Sequence, residues 1–288
     1  MPWIIPLLGY LVFATIYSLI RRNLGKNFAE HNRLVNAFFF LAVLWPIGSL
    51  IGFLSHPNLH IGWLSLALVL AGSIVWPLSN LSAYRANRHI DAGMFSILSN
   101  LTPIVTITVA WNLLGEGLNS QQLFGAVIIL VSAILVTLPS IRRHRRTDRN
   151  GLMFALLTVV LVGLGIVFER YMLKRMDIGA YFIFGWGAQT FWMIIFALSE
   201  YKNIHLLKDR KFFLPTLGYG LSAALRGVGF VAALKFSNNA SLVGAAASFL
   251  SVSVVVAAFF FTNEKDGLAI KLPAALLGTV GLIILSFS

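Results

Sequence analysis

Runs of apolar residues long enough to cross a lipid bilayer occupy nearly all of this 288-residue chain. About 20 such residues, wound as a helix, span about 30 Å of hydrocarbon. We predict ten spans, all helical, because lipid offers no partner for an unpaired backbone group. They cover residues 3–20, 34–54, 61–84, 91–113, 121–139, 151–170, 179–200, 212–235, 239–262 and 268–287.

The composition excludes a water-soluble protein. Hydrophobic residues make up 58% of the chain, charged residues only 11%, and the mean hydropathy is +0.83. A soluble domain carries about 25% charged residues. The net charge is +12, and most of the Lys and Arg residues lie in short loops between the apolar runs. At such positions Lys and Arg determine how a chain is oriented in the membrane. We therefore expect the lipid bilayer, and no nucleic acid, as a partner.

A basic connector divides the spans into two groups of five. It contains Arg142, Arg143, Arg145 and Arg146, so we predict a first repeat at 1–141, a cytoplasmic connector at 142–150 and a second repeat at 151–288. Five is odd, so the second group starts on the opposite side of the membrane from the first. The predicted fold is an all-α polytopic membrane protein of two inverted five-helix repeats around a central cavity. Such pairs are typical of secondary transporters.

The basic residues also predict an orientation. Loops after odd-numbered spans hold seventeen Lys and Arg, whereas the opposite side holds only four, namely Arg170, Lys174, Arg175 and Lys235. By the positive-inside rule the odd-numbered loops face the cytoplasm and both termini face outward.

Two segments 148 residues apart share one design. Ala92 begins a run that leads through Asn100 and Pro103 to Gly115-Glu116, and Ala240 begins a run that leads through Ser251 to Asn263-Glu264. Small residues at every fourth position let helix backbones approach closely. We interpret the two runs as copies of one unit.

These runs carry a resemblance to a known family. The stretch from "YRANRHIDAGMFSILSNLTP" to "LLGEGLNSQQLFGAVIILVSAILVT" and the later "ASLVGAAASFLSVSVVVAAFFFTNE" resemble EamA-type transporters of the drug/metabolite transporter superfamily. The resemblance implies ten helices, a cavity lined mainly by helices 1, 3, 4, 6, 8 and 9, and export or exchange of small metabolites. It also implies that both termini lie in the cytoplasm, whereas the count of basic residues predicts that they face outward. Ser251 stands opposite Pro103, which predicts no matching kink in the second copy.

One charged residue lies near the middle of a predicted span. Arg226 sits in span 8, and a charge at that depth costs at least about 2.5–3.5 kcal/mol, so it should face the bundle interior. Its planar guanidinium suits a carboxylate or phosphate, and we expect it to bind an anionic or zwitterionic substrate. The alternatives are a structural ion pair, with Glu169 as one partner, and a shallower position from which the side chain of Arg226 snorkels to the membrane surface. Leu78 occupies the equivalent place in the first half.

Weaker candidates are the other polar or interrupting residues inside spans. We expect these to contribute to substrate binding or to tie helices together: Trp76 beside Pro77, Asn80, Asn100, Gln189 and Ser248. Glu116, Glu169 and Glu264 are candidates for gating or coupling, with a structural role as the alternative.

Several signatures of other functions are missing from the sequence. The chain has no cysteine, no HExxH sequence and no phosphate-binding loop, and its histidines lie in loops or at span edges. We expect no catalytic residue, metal or cofactor, and hence no enzyme. The predicted function is secondary transport of small metabolites, amino acids or other carboxylates first, across a bacterial inner membrane. The alternatives are a sugar-phosphate or nucleotide-sugar exchanger and a non-transporting scaffold.

Overall fold

A computed structural model describes residues 2–27, 32–90, 95, 98–141, 148–208, 210–262 and 268–287. Within these ranges the chain is mostly helical, with short connecting loops and no β-strand. The helices before the connector are α1 Ile4–Asn27, α2 Asn32–Phe39, α3 Trp45–Leu54, α4 Trp63–Gly72, α5 Val75–His89, α6 Thr102–Leu114 and α7 Ser120–Ile141. Those after it are α8 Arg149–Leu173, α9 Ile178–Ala180, α10 Trp186–Ala197, α11 Arg210–Ser237, α12 Ala240–Ala247, α13 Leu250–Thr262 and α14 Leu268–Phe287.

Five helical segments are long and apolar enough to cross a membrane: Arg33–Leu54, Trp63–Ala86, Arg149–Leu173, Ile178–Glu200 and Phe213–Ser237. The other predicted spans coincide with shorter apolar helices, such as Thr102–Leu114 and Ala240–Val254. Large apolar side chains cover the outside of the bundle, including Ile5, which is 78% exposed, and Leu276, which is 70% exposed. A soluble protein would not expose so much contiguous apolar surface, whereas lipid covers it at no cost.

Three of the predicted spans are interrupted near their middles. The third breaks at Ser73–Ile74, just before Trp76-Pro77, and the fourth breaks at Asn100–Leu101, just before Pro103. The ninth breaks at Ser248–Phe249. The prediction that the second copy lacks a kink is therefore wrong.

A serine replaces the proline as the cause of that break. The hydroxyl of Ser248 donates to the carbonyl of Ala245, and the hydroxyl of Ser251 donates to Oδ1 of Asn100 across the interface, at 2.7 Å. Side-chain hydroxyls that bind backbone carbonyls compete with the helical ladder. Short polar side chains thus interrupt a helix that contains no proline at this point.

Wider π-helical turns interrupt two more spans. One covers Phe40–Leu44, between α2 and α3, and the other covers Tyr181–Gly185, between α9 and α10. The second turn packs against α3, and Nε1 of Trp45 donates to the carbonyl of Ile183 at 3.1 Å. Because π-helical turns misalign backbone groups, they are frequent at functional sites.

Packing joins the two halves crosswise. Helix α1 packs on α11, helix α8 packs on α5, and α7 packs on α14. The closest approaches occur at glycines: a Cβ on Gly229 of α11 would lie 2.8 Å from the carbonyl oxygen of Pro6 and from the backbone nitrogen of Tyr10 in α1. The first predicted span of each half therefore lies against the third predicted span of the other half.

We expect Gly229→Ala to destabilise the protein, because its methyl group would meet the backbone of α1, which cannot move aside as a side chain can. Overpacking of this kind costs about 1–3 kcal/mol. The matched control is Gly9→Ala in α1, where an added Cβ meets nothing within 4 Å. Thermal unfolding of the detergent-solubilised protein should show a lower melting temperature for Gly229→Ala only, and equal melting temperatures would contradict this packing.

Candidate functional site

The interruptions converge on a cavity of about 330 Å³ inside the bundle. Its wall includes parts of α1, α5, α8, α10, α11 and α12, together with residues that flank the breaks. All six residues predicted to bind substrate line this cavity, and so does Glu169. They are Trp76, Asn80, Asn100, Gln189, Arg226 and Ser248.

Arg226 projects from the middle of α11 into the cavity. Its guanidinium carbon lies 3.8 Å from the ring centroid of Tyr17. Within the described part of the chain, no carboxylate lies within 4.0 Å of the guanidinium, and none of its N–H groups donates a hydrogen bond. Arg226 therefore makes no direct salt bridge with Glu169, although the two opposite charges both line the cavity and attract each other.

Tyr17 is held rigidly beneath the guanidinium. It is 3% exposed, and its ring stacks on that of Tyr219 with 4.6 Å between centroids. The hydroxyls of Tyr17 and Tyr219 are hydrogen-bonded at 2.5 Å, and those of Tyr219 and Tyr84 at 3.1 Å. A cation over an aromatic face is attracted by the ring quadrupole. The three tyrosines, on α1, α5 and α11, thus fix the position of Arg226.

Glu169 forms a second polar region of the cavity. Its side chain is 4% exposed, and Tyr181 donates a hydrogen bond of 2.9 Å to its Oε1. Among the described residues, its Oε2, the buried Nε1 of Trp76 and the buried Nε2 of Gln189 have no hydrogen bond of good geometry, although both of these donors interact with the Glu169 carboxylate. Buried polar atoms rarely lack partners, because each costs about 1–3 kcal/mol. A ligand that hydrogen-bonds in this region would remove that cost.

The broken helices supply a third polar region. Asn100 is 3% exposed and accepts from Ser251 through Oδ1, but its Nδ2 has no hydrogen-bond partner among the described residues. Asn80 donates to the carbonyl of Trp76 at 3.2 Å, so its amide is partly engaged within its own helix. Ser248 is likewise bonded within its helix. Asn100 therefore both ties two broken helices together and leaves one donor for a ligand.

Glu116 lies outside the cavity, in a buried ion pair. Its Oε1 accepts from Nε of Arg170 at 2.9 Å and from Nζ of Lys174 at 2.7 Å, and its Oε2 accepts from the backbone nitrogen of Ala240 at 2.8 Å. The equivalent residue, Glu264, lies outside the described residues. In the described ranges, no group of three or more His, Asp or Glu residues is placed to hold a metal ion.

Sequence reasoning missed the partners of the charged residues. Tyr17 gave no signal, because one tyrosine in an apolar helix is unremarkable until Arg226 is placed over it. Arg170 was counted among loop residues, yet it is 4% exposed and paired with Glu116. Its position 148 residues after Arg22, the same offset that relates Glu116 to Glu264, is the signal that could have identified it.

Comparison with known proteins agrees with this architecture. Residues 1–138 match the EamA-like transporter family. A crystal structure superimposes with a TM-score of 0.71 over 97% of this chain and 94% of its own, at 14% identity, which shows a shared fold alone. In all, 28 chains of solved structures match, and no curated protein does.

The match to the EamA-like transporter family, which is part of the drug/metabolite transporter superfamily, covers residues 1–138 of this 288-residue chain. Together with the apolar helices, it indicates an integral, multi-pass membrane protein.

The cavity can be tested with a cysteine probe, since the natural chain has no cysteine. We expect Ser248→Cys, which lines the cavity, to react with a small water-soluble thiol reagent. The control Ala246→Cys, at a position that is 0% exposed, should not react without denaturant. Mass spectrometry of the labelled protein distinguishes the two, and an unreactive Ser248→Cys would contradict a water-filled cavity.

Proposed function

We propose that the chain is a ten-helix secondary transporter that moves a small anionic or zwitterionic metabolite by alternating access. Residues 1–141 and 151–288 form its two inverted five-helix halves, joined by a connector at 142–150. The crosswise packing of α1 on α11 and of α8 on α5 supports this symmetry, because an inverted pair relates these two contacts to each other. Substrate binds in the cavity between the halves.

The unpaired guanidinium of Arg226 carries this proposal. A cation inside a membrane span with no carboxylate within 4.0 Å is expensive, and intramembrane ionisable residues usually mark substrate pathways. Arg226 lines the cavity, and its guanidinium is supported by the ring of Tyr17. A bound carboxylate would take two parallel N–H···O bonds from the guanidinium, which is the geometry that this side chain favours.

Size and charge favour amino acids and other small carboxylates. A volume of about 330 Å³ lies at the small end of about 300–1,000 Å³ for ligand sites. Among the described residues that line the cavity, Arg226 is the one cation and Glu169 the one acid. A dianionic phosphate would meet one cation and be repelled by Glu169, whereas a zwitterion matches both charges. The sugar-phosphate and nucleotide-sugar alternatives are thus disfavoured.

A non-transporting scaffold would need a packed centre around Arg226. Among the described residues, the cavity instead holds polar atoms of Trp76, Asn100, Glu169 and Gln189 that lack a hydrogen bond of good geometry, an arrangement that a packed scaffold would not need. These atoms favour a protein whose centre is occupied by a ligand for part of its cycle.

Substitution of Arg226 tests the proposal. In proteoliposomes loaded with amino acids, Arg226→Gln should weaken substrate affinity in counterflow by about 10- to 150-fold, the value of a hydrogen bond to a charged group. The affinity of Arg226→Lys should lie between those of the parent and Arg226→Gln, because an ammonium keeps the charge but cannot bind a carboxylate through two parallel bonds. The control is Arg175→Gln, whose charge lies over Tyr171, away from the cavity lining.

Unchanged affinity in Arg226→Gln, at normal amounts of folded protein, would disprove the role of Arg226. Counterflow with sugar phosphates but not amino acids would reassign the substrate class while leaving the transporter in place.

The tyrosine beneath Arg226 gives a second test. Tyr17→Leu removes the ring and should weaken substrate binding by about 2- to 30-fold, the usual value of a cation–π contact. Tyr17→Phe keeps the ring and should stay within about twofold of the parent. Thermal-shift titration with the best substrate measures both, and equal losses in the two variants would show that the hydroxyl, rather than the ring, matters.

A further inference from the structure

The contacts of Glu116 extend beyond one ion pair. We call Glu116, Arg170, Lys174, Asn239 and Ala240 the Glu116 latch. Besides the three bonds to the Glu116 carboxylate, Nδ2 of Asn239 donates to the carbonyl of Gly117 at 2.9 Å, and the hydroxyl of Ser241 donates to the carbonyl of Glu116. Nη2 of Arg170 donates to the carbonyl of Asn238 at 2.9 Å. One short loop of the first half is therefore bound at several points to the second half.

The ion pair at the centre of the latch is buried, whereas its second base is exposed. The side chains of Glu116 and Arg170 are 9% and 5% exposed, while that of Lys174 is 39% exposed. Gly115, at φ +68°, ends α6 in the left-handed region and turns the chain so that Glu116 points inward. Removal of one partner from a buried pair is costly, because it leaves an uncompensated charge in the protein interior.

The latch lies directly beyond one end of the cavity. Helix α8 lines the cavity as far as Glu169, and Arg170 is the next residue. Helix α12 lines it from Gly244, one turn after Ala240. Helix α6 lines it at Thr102 and Pro103 and then rises about 17 Å to Leu114, two residues before Glu116. All three helices therefore run from the cavity wall to the latch.

We propose that the Glu116 latch is the closure of the substrate cavity on this face of the membrane, and that it breaks and re-forms in each transport cycle. This inference rests on the proposed alternating access, in which one half rocks against the other. A closure must join the halves, lie between cavity and solvent, and consist of reversible bonds, and the latch meets all three conditions. Its charges are stable in either state, since on opening they return to water.

The sequence indicates independently that the latch belongs to the repeated unit. Four of its positions recur at an offset of 148 residues: Arg22 with Arg170, Lys26 with Lys174, Ala92 with Ala240, and Glu116 with Glu264. In each of the three charged pairs, the two positions hold the same amino acid. A chance surface contact would not repeat both its acid and its two bases at one spacing.

The test measures access to the cavity without any substrate. In the cysteine-free chain, Ser248→Cys is the cavity probe, and Asn119→Cys, an exposed residue of the Glu116 loop, identifies the membrane side that bears the latch. A membrane-impermeant thiol reagent is added on that side of sealed vesicles. Glu116→Gln should raise the labelling rate of the cavity probe about tenfold, because the weakened latch opens more often.

Two further variants keep the inference falsifiable. Lys174→Gln removes the more exposed base, so it should fold even where Glu116→Gln does not, and it should raise labelling by a smaller factor. The control Arg175→Gln removes a charge nearby, outside the latch, and should leave the rate unchanged. Labelling equal to the parent in Lys174→Gln and in folded Glu116→Gln would overturn the latch.

This result is separable from the proposed function. Unchanged labelling combined with transport that depends on Arg226 would reject the latch and leave the transporter. Raised labelling in a protein that transports no carboxylate would support the latch as a closure and reject the proposed substrate.

Discussion

The cost of a charged or unpaired polar group in hydrocarbon organises this protein. Few polar residues occur inside the helices, and each of them needs either a hydrogen-bonding or oppositely charged partner or access to water. Glu116 and Arg170 satisfy the rule as a buried pair, and Arg226 satisfies it by facing a cavity over the ring of Tyr17. The helical fold follows from the same constraint, because only hydrogen-bonded backbone is tolerated in lipid.

The cavity arises where that backbone rule is relaxed. The breaks at Ser73–Ile74, Asn100–Leu101 and Ser248–Phe249 and the π-helical turns all leave backbone groups misaligned near the middle of the bundle. Irregular backbone at membrane depth is tolerated where it is buried in protein or lines a wet space. The interruptions therefore supply both the room for a ligand and the polar surface that recognises it.

Symmetry and asymmetry have different roles in this chain. The repeated features, namely the crosswise packing of α1 and α8 and the acid and bases of the Glu116 latch, concern how the halves hold together. The residues of the cavity are not repeated: Arg226 stands opposite Leu78, and Pro103 stands opposite Ser251. A duplicated frame is suited to rocking motion, whereas recognition of one substrate requires chemistry at one place only.

The sequence by itself determined the helical membrane architecture and identified several of the polar residues that line the cavity. Span length and hydropathy depend on local composition, and a polar residue at mid-depth, such as Gln189 or Arg226, must face inward wherever its helix packs. Only the tertiary structure decided the partners: Tyr17 beneath Arg226, Tyr181 on Glu169, and Arg170 on Glu116. Pairing depends on which helix faces are brought together and on angles set by packing, and side-chain pattern along one helix carries no information about either.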